Sequence, residues 1–169
     1  VGIFQVSDKE GLLSVARFFK QHRLWTTKYH DCACWYRCVE LYCSGQHVLP
    51  RGRDETLSLK QQMNFQRPPN IPCGLQQHGD VGNSPCDYIS GFASGDGSFY
   101  MIRPRMYLGF SIGQKMDSRL VLEKIREIVG VGVIETNQKR RMSSLYVRNP
   151  DDIGIVQDFF RQHPVIGAK

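Results

Sequence analysis

The 169 residues, 41% of them hydrophobic and 22% charged, can bury a good core and are typical of a globular protein. No apolar run approaches the ~18 residues that would suggest a membrane span, so no membrane partner is expected. The formal net charge of +6 comes from 22 Lys and Arg against 16 Asp and Glu. Arginine outnumbers lysine, and its guanidinium fork binds phosphate bidentately, so the balance favours a nucleic-acid partner.

Residues 1–28 predict a strand followed by a helix that needs a packing partner. The helix carries a set of apolar side chains that is too large to be left in water, namely Leu12, Leu13, Val15, Ala16, Phe18 and Phe19.

Four of the six cysteines lie in the next segment, Asp31–Cys43, which we interpret as a helix. Their spacing, C-x-C-x3-C-x4-C, is not that of a zinc knuckle or ribbon. We interpret them as small buried hydrophobic residues in a reducing compartment. A zinc-binding or interaction module is the alternative.

Residues 67–86 predict a linker, because Pro, Gly, Asn and Gln dominate the segment. They are expected to form a loop that leads to the helix beginning near Asp87.

The stretch Asp87–Phe99, DYISGFASGDGSF, is the most informative part of the chain. Gly91 and Gly95 lie four residues apart on a predicted helix, where small side chains allow a second helix to approach closely. Asp96 falls at the C-terminal end of this helix, where the dipole disfavours a carboxylate unless a cation is nearby. Asp96 is therefore a candidate metal ligand.

The residues after this motif predict two strand pairs separated by a helix. The strands are expected at 98–103, 106–114, 131–136 and 142–147, and the helix contains Leu120, Val121, Ile125, Ile128 and Val129 at helical spacing. A last helix is expected to begin at Asn149-Pro150, with Asn149 as its cap and Pro150 in the first turn.

The motif and the order of these elements resemble the LAGLIDADG homing endonucleases. Gly91 to Asp96 matches the family signature, with Ser94 at its other acidic position, and Gly97-Ser98-Phe99 follows as the family expects. The resemblance implies an α+β fold of order αββαββα with an antiparallel, saddle-shaped sheet. It also implies divalent metal, Mg²⁺ if cleavage is retained, with Asp96 as its ligand, Gln114 positioning water and Arg148 stabilising the charged phosphorane.

An internal repeat supports this reading. Phe18-Phe19-Lys20-Gln21-His22 matches Phe159-Phe160-Arg161-Gln162-His163 at an offset of 159 − 18 = 141 residues. We therefore expect residues 1–66 to be the C-terminal strand and helices of a first repeat, 67–86 a linker, and 87–169 a second repeat. The first acidic motif would fall at 96 − 141, which is 45 residues before Val1. Another chain, as in a symmetric dimer, could supply it.

The resemblance places nucleic acid on the uncovered face of the sheet and at its hairpin tips. The residues expected there are Ser98, Tyr100, Ile102, Arg103, Arg105, Lys115, Lys139, Arg140, Arg141 and Arg148. The basic ones can bind phosphates, which fixes position and not sequence. The first hairpin has almost no turn, and short ribbons reach few base edges.

Three functions follow as hypotheses from the sequence. The favoured one is a LAGLIDADG protein without cleavage activity that binds structured RNA, such as mitochondrial ribosomal or intron RNA, alone or within a ribonucleoprotein. The second is a metal-dependent, site-specific DNA endonuclease of which this chain is a fragment or half. The third is the cysteine-rich or zinc module. The arginine-rich usage predicts a nuclear gene and a product imported into mitochondria, with a presequence removed before Val1.

Overall fold

The computed structural model describes residues 5–66, 71–78, 84–104 and 106–166, and the chain divides into two units, Val1–Gly82 and Asn83–Lys169. The described residues of the first unit are helical, with α1 at Lys9–Gln21, α2 at Lys28–Cys43, α3 at Pro50–Gln61 and α4 at Gly74–His78. The second unit contains α5 (Pro85–Asp96), β1 (Gly97–Ile102), β2 (Tyr107–Lys115), α6 (Arg119–Val129), β3 (Val133–Asn137), β4 (Met142–Val147) and α7 (Pro150–Gln162).

Helix α2 organises the first unit. Val39 and Leu41 on α2 are buried, as is Trp25 in the segment that precedes it. The carboxylate of Asp31 is also buried, and it accepts a hydrogen bond from the Asn64 amide (2.9 Å) and pairs with Lys28 (3.1 Å). A buried carboxylate needs such partners, because an unpaired charge away from water is costly.

Helix α1 packs along α2. Asp8 caps its first turn by accepting a hydrogen bond from the Gly11 amide (2.7 Å), and Ala16 is buried. The ammonium group of Lys20 lies 3.8 Å from the centroid of the Tyr36 ring on α2. Of the predicted preceding strand, residues 1–4 lie outside the described residues and residues 5–7 have no strand structure.

Part of the predicted linker is ordered structure instead. Within residues 71–78, Cys73 is fully buried and α4 begins at Gly74. The Gly74 amide donates to the Thr26 carbonyl (3.2 Å) and the Leu75 amide to the Trp25 carbonyl (3.1 Å). A Cβ on Gly74 would collide with the Leu24 carbonyl, so a glycine is needed for this close approach. The rest of the predicted linker before residue 84 lies outside the described residues.

The second unit has the predicted αββαββα order. Its four strands form one antiparallel sheet in the order β1-β2-β4-β3, with Gly97 opposite Ile112, Phe110 opposite Val147 and Ile134 opposite Leu145. The predicted fold class is confirmed, and each strand boundary lies within two residues of its predicted position.

Helices cover one face of this sheet. Phe110, Ile112, Leu145 and Val147 point to the covered face and are buried, and Phe160 of α7 packs on the Phe99 and Phe110 rings. Because side chains alternate along a strand, the neighbouring residues point to the other face. We call this other face the open face; its residues are Ser98, Tyr100, Ile102, Tyr107, Gly109, Ser111, Gly113, Lys115, Val133, Glu135, Asn137, Met142, Ser144 and Tyr146.

The 141-residue repeat is reproduced in the local structure of α1 and α7. Each helix spans 13 residues, and 150 − 9 and 162 − 21 both equal 141. Asn149 accepts a hydrogen bond from the Asp151 amide (3.3 Å), as Asp8 does from Gly11. The adjacent phenylalanines also agree, with ring centroids 5.3 Å apart in α1 and 5.2 Å apart in α7. Within the described residues, no helix is long and apolar enough to cross a bilayer.

Helix α6 offers a test of the core of the second unit. Leu122 is 0% exposed, whereas Leu120 on the same helix is 36% exposed. We expect Leu122→Ala to lower the free energy of unfolding by about 2–5 kcal/mol, because it removes buried methyl groups and leaves a cavity. Leu120→Ala is the matched control and should cost less than about 1 kcal/mol. Urea denaturation followed by circular dichroism measures both, and equal losses would contradict this assignment of the core.

Candidate nucleic-acid interface and metal ligand

Asp96 and Gln114 meet at one end of the sheet. Asp96 is the last residue of α5 and is exposed, and β1 begins at the next residue, Gly97. Gln114 lies on β2, two residues beyond the partner of Gly97. Its Nε2 donates a hydrogen bond of 2.6 Å to Oδ2 of Asp96.

The chemistry of this pair is compatible with a divalent cation. A carboxylate has about four acceptor positions, so the bond from Gln114 leaves Asp96 able to bind a cation. Carboxylate oxygens are also ligands that Mg²⁺ accepts. Within the described ranges, no three His, Cys, Asp or Glu side chains are grouped so that they could hold a metal. The described residues therefore offer a carboxylate to a cation without forming a complete metal site.

Ser94, at the second acidic position of the motif, has a structural role. Its hydroxyl accepts a hydrogen bond from the Ile166 amide (2.8 Å) and donates to the Ser90 carbonyl (2.7 Å). Ser90 in turn donates to the His163 carbonyl (2.5 Å). Together these bonds join α5 to the segment that follows α7, and they leave Asp96 as the one carboxylate at the two acidic positions of the motif.

The two motif glycines lie on the exposed side of α5. Among the atoms that the structure describes, none lies within 4 Å of a Cβ built on Gly91 or Gly95. This side of the helix has room for the close helix–helix contact that their spacing predicts.

Arg148 is not brought together with Asp96 and Gln114. Gln114 pairs with Ser143 on β4, whereas Arg148 follows the opposite end of that strand. The Cα atoms of Ser143 and Arg148 are five steps of extended chain apart, or about 17 Å at 3.4 Å per residue, and the Arg148 guanidinium bonds to Glu135 instead. The structure thus provides no support for Arg148 acting on a phosphate held at Asp96.

Arg148 instead joins a row of side chains that crosses the open face. The ring of Tyr100 lies over Gly109, where any Cβ would collide with it. The pKa of Arg148 is raised above its ordinary value, first by a hydrogen bond with Tyr100 and also by Glu135. A guanidinium nitrogen of Arg148 donates to Glu135 (2.9 Å), and its central carbon lies 3.9 Å from the centroid of the Tyr146 ring.

The other predicted binding residues divide between the two ends of the sheet. Lys115 lies at the Asp96 end, and the exposed β3–β4 turn, which holds Lys139, Arg140 and Arg141, is beside it, because the Met116 amide donates to the Arg141 carbonyl (3.1 Å). Arg103 lies at the opposite end, in the β1–β2 turn, and Arg105 falls outside the described residues. Ser98 and Tyr100 point to the open face as predicted.

Glu135 and Tyr146 were not predicted from the sequence. The period-two alternation of β3 and β4 was a signal that could have placed both of them on the open face.

The cysteines do not form a metal site in the part of the chain described. All six are free thiols. Burial, together with the negative charge of Asp31, raises the pKa of Cys32 and Cys34, which disfavours the thiolate that zinc requires. Their arrangement supports the interpretation of structural cysteines.

Comparison with protein families agrees with this geometry. Residues 89–169 match the family model described as LAGLIDADG endonuclease. These residues are similar to the LAGLIDADG endonucleases. The resemblance inferred from Gly91–Asp96 is confirmed. No curated protein matches the sequence.

Solved structures extend the likeness over the whole chain. A crystal structure of the meganuclease I-SmaMI bound to uncleavable DNA has a TM-score of 0.81 and 27% identity, and the match covers 97% of this chain and 61% of that one. I-SmaMI with an uncleaved DNA target and calcium ions has a TM-score of 0.79, 25% identity and coverages of 100% and 67%. The fold is shared with the LAGLIDADG homing endonuclease I-LtrWI bound to target DNA, with a TM-score of 0.77 and 23% identity. That match covers 98% of this chain and 61% of the I-LtrWI chain. The chain spans about three-fifths of the length of the I-SmaMI chain.

Ser94 provides a test of the architecture of the second unit. We expect Ser94→Ala to destabilise the domain by about 1 kcal/mol, because the Ile166 amide loses its hydrogen-bond acceptor. Hydrogen exchange at the Ile166 amide should accelerate accordingly. Ser98→Ala, at an exposed position on β1, is the control and should leave that amide unchanged. Unaltered exchange at Ile166 in both variants would contradict the assigned bond.

Proposed function

We propose that this chain binds duplex DNA on the open face of its LAGLIDADG domain. The observation that carries the proposal is the sheet itself, which has one face covered by helices, one open face and basic side chains at both ends. Clusters of lysine and arginine bind phosphates, while side chains on the sheet can reach base edges. The likeness to I-SmaMI, whose structure is bound to DNA, supports DNA as the partner.

We further propose that Asp96 and Gln114 form one half of a divalent-metal cleavage centre. Their hydrogen bond holds an exposed carboxylate at one end of the sheet, where a scissile phosphate could approach it. When bound, the metal would activate water and stabilise the leaving oxygen. Residues 1–169 contain one such acidic motif, so in this proposal the second acidic ligand lies outside these residues.

Structured RNA, the partner favoured from the sequence, becomes the second candidate. The observation that favours it is the short first hairpin, in which β1 ends at Ile102 and β2 begins at Tyr107. A ribbon of this length reaches little of a major groove, whereas RNA helices offer phosphates and 2′-hydroxyls to a shallow surface. Residence in mitochondria, as expected from the sequence, is compatible with either partner.

Binding measurements test the nucleic-acid proposal. Competition between duplex DNA and structured RNA of equal length, at physiological salt, should favour the duplex. Arg140→Ala should weaken DNA binding about equally for all sequences and lower the salt slope by about one unit, because it removes one phosphate contact. Arg126→Ala, which removes the same charge from the exposed surface of α6, is the matched control and should change neither quantity. A clear preference for RNA would favour the second candidate.

Cleavage assays test the half-site. The 169-residue chain, incubated with Mg²⁺ or Mn²⁺ and plasmids carrying intron-insertion targets, should leave them uncut, because it offers one of two acidic ligands. Asp96→Asn is the control. Reproducible double-strand cuts that disappear in Asp96→Asn would contradict this expectation and would show that two copies complete the centre.

A further inference from the structure

The open face carries one charged pair whose chemistry differs from that of the basic tips. The side chain of Arg148 is 50% exposed and that of Glu135 is 53% exposed, and they are joined by a hydrogen bond of 2.9 Å. Arg140, in contrast, lies in an exposed turn with no carboxylate bonded to its guanidinium in the contacts described. The pair therefore presents a hydrogen-bond donor, Arg148, beside a hydrogen-bond acceptor, Glu135.

The guanidinium of Arg148 is held in a defined plane. It stacks on Tyr146 at 3.9 Å, and Glu135 fixes one of its nitrogens. The ring of Tyr100 lies over Gly109, the strand position in this row that lacks a side chain. Arginine has five N–H donors, so the bond to Glu135 leaves enough for a bidentate contact. An arginine fixed in this way loses little side-chain entropy on binding.

A phosphate is a poor match for this pair. The carboxylate of Glu135 would lie beside any phosphate bound by Arg148, and two like charges at that distance repel each other. A G·C base pair is a good match, because guanine presents O6 and N7 as acceptors in the major groove and cytosine presents its N4 amino group as a donor. Arginine can donate to O6 and N7 of guanine, and glutamate can accept from the N4 amino group of cytosine.

From this geometry we infer that Arg148 and Glu135 together read one G·C base pair of a duplex DNA target, with Arg148 on guanine and Glu135 on cytosine. The inference rests on the proposed function and adds to it the specificity of one position. Tyr100 and Tyr146 are positioning residues that hold the guanidinium for this contact.

Selection from a randomised duplex library, followed by sequencing, tests the inference with the intact chain. The wild-type chain should enrich G·C at one position by about 5- to 150-fold over the other pairs, the discrimination usual for one bidentate contact. Arg148→Ala should abolish the preference at that position and leave the others in place. Arg148→Lys, which keeps the charge but loses the planar fork, should also lose it. Glu135→Gln should reduce it.

Arg140→Ala is the matched control and should lower affinity while the preference for G·C is retained. Thermal melting of each variant identifies any loss of fold. If Arg148→Ala does not fold, Arg148→Lys and Glu135→Gln still test the inference.

The outcomes separate the two levels of the proposal. If the wild-type chain binds no duplex DNA, the proposed function fails and the inference fails with it. If duplex DNA binds but Arg148→Ala weakens all sequences alike, Arg148 contacts phosphate and only the inference is overturned. The inference would also be overturned if the selected DNA showed no G·C preference that is lost in Arg148→Ala.

Discussion

The direct junction between α5 and β1 is the constraint on which the site depends. Helix α5 ends at Asp96 and β1 begins at Gly97, with no intervening loop. The Gly97 amide donates to the Ala93 carbonyl, and a Cβ at this position would collide with the same carbonyl. A glycine here allows the chain to change from helix to strand within one residue. Because the strand register then pairs Gly97 with Ile112, Asp96 lies beside the end of β2, where Gln114 donates a hydrogen bond to its carboxylate.

The same sheet separates stability from recognition. Its covered face holds Phe110, Ile112 and Leu145, which are buried and account for much of the packing of the second unit. Its open face holds small side chains, among them Ser98, Ser111 and Ser144, which leave the charged and aromatic row exposed. Substitutions on the open face can therefore alter binding without removing the hydrophobic core, since side chains alternate between the two faces.

Local chemistry made much of this fold predictable. Asn149-Pro150 correctly predicted the start of α7, and the small residues before Asp96 correctly predicted the helix end and the fold family. These signals depend on residues that are near neighbours in the chain. The repeat likewise predicted that α1 and α7 match, because each helix is specified by its own local sequence.

Features that depend on distant partners were not predictable. Gly74 and Leu75 lie in a segment with the composition of a loop, yet their amides donate to the carbonyls of Thr26 and Trp25, about fifty residues earlier. The position of Arg148 was inferred from the family, but the pairing of β2 with β4 determines it, and this pairing is non-local. Pairs such as Arg148–Glu135 follow from register, which a short sequence pattern does not specify.

The register also assigns the two kinds of chemistry to different strands. Asp96 precedes β1 and Gln114 lies on β2, whereas Glu135 lies on β3, opposite Ser144 of β4. Arg148 follows the far end of β4, and its side chain extends back over the Tyr146 ring to reach Glu135. Neither side chain of the Arg148–Glu135 pair takes part in the hydrogen bond between Asp96 and Gln114. Substitutions at Arg148 or Glu135 can therefore change base recognition and leave that hydrogen bond intact.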